Sequence, residues 1–470
     1  MSTTATQLHP AEVELTPIPT SPYTTRSSIN ADSFGHSVFP EEPHSPDLVN
    51  ETASDDAPFS TDAIPDGGYG WMVVFCASAI TFWIGSTINC WGILQTALLN
   101  STLSHVSTST VSFIGSLNLA CGVAFGLLST RLTRWLGTRF TTMVGIVLMG
   151  VGMIAAGFCT GNVAGLFLCV GVVAGIGINI TYTVCNVIPL QYFSGRLGLA
   201  NGLIKLGGGI GATVMAIALE ALVRRVGIEW TFRIQGFLTI ATGLPAAWFL
   251  KERVLIRNAP FIELSMFRNL AFTAMFLSGA IGTASLFVAP FYLPLFAQSL
   301  GLSSTIGAAL VAAFNACNAI GRFAGGPLCD KIGPTNTFVI MMSLNAVSML
   351  AIWPVSSTLG PLALFSVLNG VANGSYFTVF PTVVATIFGP GRAAVAMSLS
   401  TTGWTLGYLM GAPIAGFLLQ AGGGEQSAPR GDIGVYRPAI FYAGGIAFLS
   451  SLFALVARVY LVKTVQKRKV

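Results

Sequence analysis

Residues 66–99, DGGYGWMVVFCASAITFWIGSTINCWGILQTALL, decide the fold. From Gly70 to Leu99 there is no Asp, Glu, Lys, Arg or His, and about 20 such residues are enough for a helix to cross the roughly 30 Å hydrocarbon core of a bilayer. The change from what precedes is abrupt, since the chain before Asp66 is polar and acidic. Gly67 and Gly68 leave the entry backbone unrestrained, and Tyr69 and Trp71 carry amphipathic rings that favour the headgroup level. The stretch reads as a first membrane span, fastened at its mouth.

The rest of the composition agrees. Of 470 residues, 53% are hydrophobic and only 9% charged, against about a quarter charged in a soluble domain. The net charge of +5 hides a split: residues 1–66 hold eleven acids and one base, Arg26, leaving 22 Lys and Arg against seven acids beyond them. Those bases are scattered among apolar segments instead of gathering on a soluble face, which argues against a nucleic-acid partner. The eight cysteines lie in apolar segments without CxxC spacing, as small packing residues do, so no metal or cofactor is called for. The four histidines, at 9, 36, 44 and 105, fall outside the apolar segments, which leaves no histidine relay through the bilayer.

Residues 1–65 are rich in Ser, Thr, Pro and acids and cannot bury enough surface to offset chain entropy, so a disordered acidic tail is expected. No basic region followed by an apolar core marks a secretory signal. Twelve apolar segments follow, near 70–96, 109–129, 140–160, 163–188, 198–222, 231–250, 270–297, 304–328, 336–355, 360–386, 393–419 and 438–461. They divide the chain into a six-helix bundle over 66–250, a linker over 251–269, a second six-helix bundle over 270–462 and a short basic tail, 463–470. With the amino terminus inside, the cytoplasmic side collects fifteen Lys and Arg and the outer side five. Basic residues are retained in cytoplasmic loops, so both termini are expected in the cytosol and Asn100-Ser101-Thr102 becomes an external glycosylation sequon.

The two bundles repeat one another. Gly137 and Gly333 are 196 residues apart, as are Arg196 and Arg392, Ala200 and Ala396, Gly207 and Gly403, and Gly211 and Gly407. This is a parallel duplication, in which substrate sits near the midplane between halves that rock around it. Gly403, Gly407 and Gly411 in the eleventh segment, spaced by four, are expected to form a tightly packed sliding face. After the eighth segment, Gly326-x-x-x-Asp330-Lys331-x-Gly333 places a carboxylate and an ammonium at a helix turn, where they can latch neighbouring helices in one access state. The counterpart after the second segment has Thr130, Arg134 and Trp135 at the matching positions, so the latch is one-sided.

Asp66-Gly67-Gly68-Tyr69-Gly70-Trp71 at the first span, Tyr192-Phe193-Ser194-Gly195-Arg196 before the fifth and the loop motif after the eighth together resemble the monocarboxylate transporters, a branch of the major facilitator superfamily, over residues 66–463. The resemblance implies an all-α membrane protein with the major facilitator fold, twelve transmembrane helices in two six-helix halves. It also implies that Arg322, deep in the eighth span, meets an anionic substrate. A charge in a span is costly and points to function, and the guanidinium fork suits a carboxylate; the plain alternative is an arginine held by helix-end carbonyls. Lys205, about 12 Å of helix rise into the fifth span, is a second candidate for the cavity, while Glu220 near the outer end of the same span is expected to reach water. Two departures matter. Asn318 stands where proton-coupled members carry an aspartate, and Asn89 where they carry a span-one lysine; an amide does not exchange a proton near neutral pH.

The expectation is a secondary active transporter for a small organic acid or related metabolite, in the plasma membrane or an organelle, with its coupling ion open and a proton among the choices. Export of a fungal secondary metabolite is one alternative and a non-transporting nutrient sensor another. No Walker A loop, HExxH or GxSxG occurs, which argues against ATP-driven transport and against an enzyme.

Overall fold

The computed structural model describes residues 67–193, 197–253, 264–388, 390–423 and 433–467. The acidic tail, Asp66, Arg196, most of the linker and residues 468–470 of the basic tail lie outside the described residues, as does the side chain of Asp330. Every described element is a helix.

The first span is α1 (Tyr69–Asn89) continued, after a break at Cys90, by α2 (Trp91–Leu99). α3 (Thr108–Ala124) runs on into α4 (Gly126–Ala156), whose Gly137 leaves the helical region at φ 79°, ψ 159° and turns the chain back. The fourth span joins α5 (Val163–Leu166) to α6 (Gly175–Val187) through a wider π-helical turn. α7 (Leu197–Phe249) has 53 residues, which as a straight rod would extend about 80 Å, more than twice the bilayer core. It is two spans, reversed at Gly227 (φ 81°, ψ 169°).

In the second half α8 (Leu270–Leu286) and α9 (Val288–Ser299) form one broken span, followed by α10 (Ser304–Ile332) and α11 (Pro334–Val347), which continues through π and 3-10 turns to Val355. α12 (Leu359–Phe388), α13 (Pro390–Ala421) and α14 (Arg437–Lys467) complete the set. Among the described residues the chain thus makes twelve passes, and its apolar segments extend by a few residues into the flanking loops. Among the described residues nine helices are separately long and apolar enough to cross a bilayer; the split of α7, the shorter α3 and the eleventh span account for the rest.

Large apolar side chains such as Phe75, Phe237 and Phe417 point outward. The interior mixes buried rings such as Trp91, Trp353 and Tyr376 with small and polar residues such as Ser86, Asn118 and Asn369, which lipid-embedded helices use to pack closely and bond to one another. The repeat reappears as geometry. Gly137 and Gly333 share a conformation (φ 79° and 87°), and Gly227 and Gly423, another pair 196 apart, both have positive φ (81° and 120°). A side chain in this region is strained, which is why glycine sits at each reversal. A Cβ added at Gly211 would lie 2.1 Å from the Phe82 carbonyl oxygen, and one at Gly407 2.2 Å from that of Ala280. The fifth span is thus seated on the first as the eleventh is on the seventh. This corrects the sliding-face expectation: Gly403, Gly407 and Gly411 meet Phe276, Ala280 and Ala284 of their own half, and Gly416 is the one that meets Ser109 of the other.

Candidate translocation site

A cavity with an empty volume of about 830 Å³ lies where the two halves face each other. Asn89, Lys205, Asn318 and Arg322, from the first, fifth and eighth spans, all line it, although each was singled out separately from the sequence.

Arg322 is half-buried and held from one side. Its Nε donates to Asn318 Oδ1 at 2.8 Å, Asn318 Nδ2 donates to Asn373 Oδ1 at 2.9 Å, and Asn373 Nδ2 donates to the Leu286 carbonyl at 2.6 Å. Leu286 is the last residue of α8, so this amide ladder runs from the guanidinium to the break in the seventh span. The two terminal amino groups of Arg322 meet no acceptor among the described residues, and its Cζ stands 5.0 Å from the centre of the Phe377 ring. Lys205 donates to Asn186 Oδ1 and stands 4.3 Å from the centre of the Tyr182 ring. Each cation therefore backs onto an aromatic face, an electrostatically favourable contact in a desolvated site. Asn89 donates to the Gly85 carbonyl of its own helix at 3.1 Å, which leaves its oxygen toward the cavity. No Asp, Glu or His lines the cavity among the described residues.

The walls differ. The second half contributes Phe287, Phe377, Trp404 and Tyr408, whose rings meet edge to face at 5.4 Å (Phe287 and Tyr408) and 6.3 Å (Phe377 and Trp404). The first half contributes small residues such as Gly208 and Ala212, the aliphatic side chains of Ile84, Ile88, Leu119, Val123 and Ile178, and one ring, Tyr182.

At one end the halves are tied together. Asn100 donates to Gln298 at 2.9 Å, Ser109 to the Pro413 carbonyl at 2.8 Å, and the Ser112 and Tyr292 hydroxyls meet at 2.6 Å. Glu220 is only 6% exposed and accepts from Ser304 at 2.8 Å and Thr305 at 3.3 Å, with Arg224 Nε at 2.9 Å. The expectation that Glu220 reaches water is therefore overturned: its carboxylate faces the first turn of α10, where free backbone N–H groups favour an anion. The sequon residue Asn100 belongs to the same closure.

The remaining motif residues lie elsewhere. Gly68 precedes α1 at φ 62°, and a Cβ on Gly70 would lie 2.9 Å from the Phe193 ring. Trp71 packs edge-on to Phe193 at 5.0 Å, and Tyr69 donates to the Phe249 carbonyl at 2.8 Å. Tyr69, Gly70 and Trp71 and the Tyr192-Phe193 pair are thus two sides of one packed corner, away from the cavity. Lys331 is exposed in the last turn of α10, which Gly333 (φ 87°) closes. Tyr182, Asn373, Phe377, Trp404 and Tyr408 were not found in the sequence. Each sits in an apolar segment with nothing local to mark it; the repeat offers the one signal, since Tyr182 and Phe377 occupy the fourth span and its counterpart, the tenth.

Two helical bundles around a central, cation-bearing cavity closed at one end define a membrane transporter that works by alternating access. The chain belongs to the Major Facilitator Superfamily, which it matches over residues 70–358 and 274–470. It is 28% identical over 420 residues to an MFS-type transporter of Ophiocordyceps sp., covering 88% of this chain and 90% of that one. It is 26% identical to the aspyridones efflux protein of Emericella nidulans, covering 82% and 78%. A bacterial homologue of the human lysosomal transporter Spinster, solved inward-facing and occupied, superposes with a TM-score of 0.67 at 17% identity, covering 84% of this chain and 99% of that one.

Proposed function

We propose that this chain is a monocarboxylate-porter-type carrier that exports an organic acid or related acidic metabolite across the plasma membrane. The observation that carries the reading is Arg322, whose terminal amino groups face a closed-ended cavity without a protein acceptor. An anion is what such a group binds, since the fork offers two parallel donors. Export is favoured by the efflux proteins among its relatives.

In this reading the halves 66–250 and 270–462 rock against each other, both termini are cytosolic, and the ties around Glu220 close the outer end while the cavity takes substrate from the cytosol. Asp330 and Lys331 would latch the inner end in the opposite state, so Asp330→Asn should slow turnover more than it changes affinity. With amides at Asn89 and Asn318 and no carboxylate lining the cavity among the described residues, coupling does not follow the proton-lactate scheme. The test is a deletion strain carrying the wild-type chain or Arg322→Gln, with culture medium and cells profiled for acidic metabolites. An acid retained in cells of the deletion and Arg322→Gln strains, and released by wild type, is expected; equal release by all three would remove the reading.

A further inference from the structure

We infer that the cavity selects a planar, conjugated ring bearing one anionic group, and discriminates against small aliphatic acids. The inference rests on the anion-export reading and names the substrate class of the same site. Three observations carry it.

The first is the contrast between the walls. Phe287, Phe377, Trp404 and Tyr408 of the second half line the cavity together with the Tyr182 ring of the first, whose other apolar lining residues are small or aliphatic, such as Gly208, Ile84 and Leu119. A conjugated ring can present its edge or face to Phe287, Trp404 and Tyr408, which is how aromatic groups gain beyond their buried area. A branched or puckered body of the same volume keeps the burial and loses that geometry.

The second is the site of the charge. Arg322 stacks on Phe377 with its Nε committed to Asn318, so its terminal amino groups present their donors beside the aromatic wall. An anionic group attached to the ring plane would meet both donors while the ring stays on the wall. Lys205, from the other half, adds a second positive charge on the lining, and no acid offsets the two among the described residues. Cationic and neutral rings are thereby disfavoured.

The third is what a small aliphatic acid leaves unused. A lactate-sized acid held by Arg322 has no ring to set against Phe287, Trp404 or Tyr408, so it forgoes the gain those rings offer an aromatic body.

The test uses the purified full-length chain in nanodiscs and four probes: 1-naphthoate, decahydro-1-naphthoate, lactate and 1-naphthylmethylammonium, with binding read by calorimetry and by ligand-induced thermal shift. Naphthoate should bind at least tenfold tighter than its saturated analogue, with lactate and the cation weaker still. Trp404→Leu should abolish the preference for naphthoate over the saturated acid, and Arg322→Gln should abolish binding of both. Should Trp404→Leu not fold, Tyr408→Leu makes the same test from the next turn of the eleventh span. Equal affinity for the two bicyclic acids, tighter binding of lactate, or no binding by any probe would overturn the inference. The strain comparison above decides transport independently, so a failed ring preference with intact Arg322-dependent export would reject the substrate class alone.

Discussion

The Glu220 carboxylate accepts a 2.8 Å hydrogen bond from the Ser304 hydroxyl across the junction of the two halves. The same oxygen receives Thr305 and Arg224, so one buried atom fastens the fifth span to the start of the eighth. Any motion that opens this end must break these bonds together. Hydrogen bonds to a charged group are worth about 1.5–3 kcal/mol, which makes this contact a large share of any balance between access states.

Glu220→Ala should therefore favour the state open at this end by about tenfold or more. The check is modification of a Gln298→Cys reporter by an impermeant maleimide on intact cells. Labelling should rise with Glu220→Ala and stay at its basal rate with Glu229→Ala, whose side chain is 56% exposed.

Converting Asn318 to Asp would place a carboxylate where the amide oxygen now meets Arg322 Nε at 2.8 Å. Ionised, that carboxylate would compete with an anionic substrate for the guanidinium; protonated, it would release it. Asn318→Asp should accordingly transport the anion more slowly than the wild type, which shows no drive from an imposed pH gradient. Uptake of labelled anion into proteoliposomes, with and without such a gradient, measures both.

Asn373 does not line the cavity, yet it carries the ladder from Asn318 to Leu286. Asn373→Leu leaves two buried groups unpartnered, at about 1–3 kcal/mol each, and frees Arg322 to leave its position. The expected outcome is a lower melting temperature together with a weaker apparent affinity, and Asn318→Leu should reproduce the affinity loss.

Packing predicts a contrast between two glycines. A Cβ at Gly411 would lie 2.0 Å from the Ala284 carbonyl oxygen, whereas one at Gly445 would meet nothing within 4 Å. Gly411→Ala should destabilise by about 1–3 kcal/mol through overpacking. Gly445→Ala, inside α14, should gain a few tenths to about 1 kcal/mol from the reduced freedom of the unfolded chain. Thermal unfolding in detergent compares them directly.

The membrane body was legible because its signals are local. An uncharged run must span, and a glycine between two such runs marks a reversal; Gly137 and Gly333 were readable in this way, whereas Gly227 stands out only in the structure, where it and its partner Gly423 both have positive φ. Arg322 was legible because a permanent charge in an apolar segment stands out. Glu220 was misread for the complementary reason. Its position near a span end suggests water, and the hydroxyls that bury it lie 84 and 85 residues away. The aromatic wall was invisible because Trp404 and Tyr408 are ordinary constituents of a membrane helix until the partner half shows which side faces inward.

The difference between the cavity walls bears on how such a carrier diversifies. Gly85 lies so close to Gly208 that an added carbon would fall 2.1 Å from its carbonyl oxygen, which ties the composition of the first half to its backbone spacing. Phe287, Phe377, Trp404 and Tyr408 of the second half are side chains that can be exchanged for others of similar bulk, as are Ile84, Leu119 and Ile178 of the first. Four of the five rings in the lining come from the second half, so a swap of carboxyl-terminal halves between related carriers should carry the preference for rings with it.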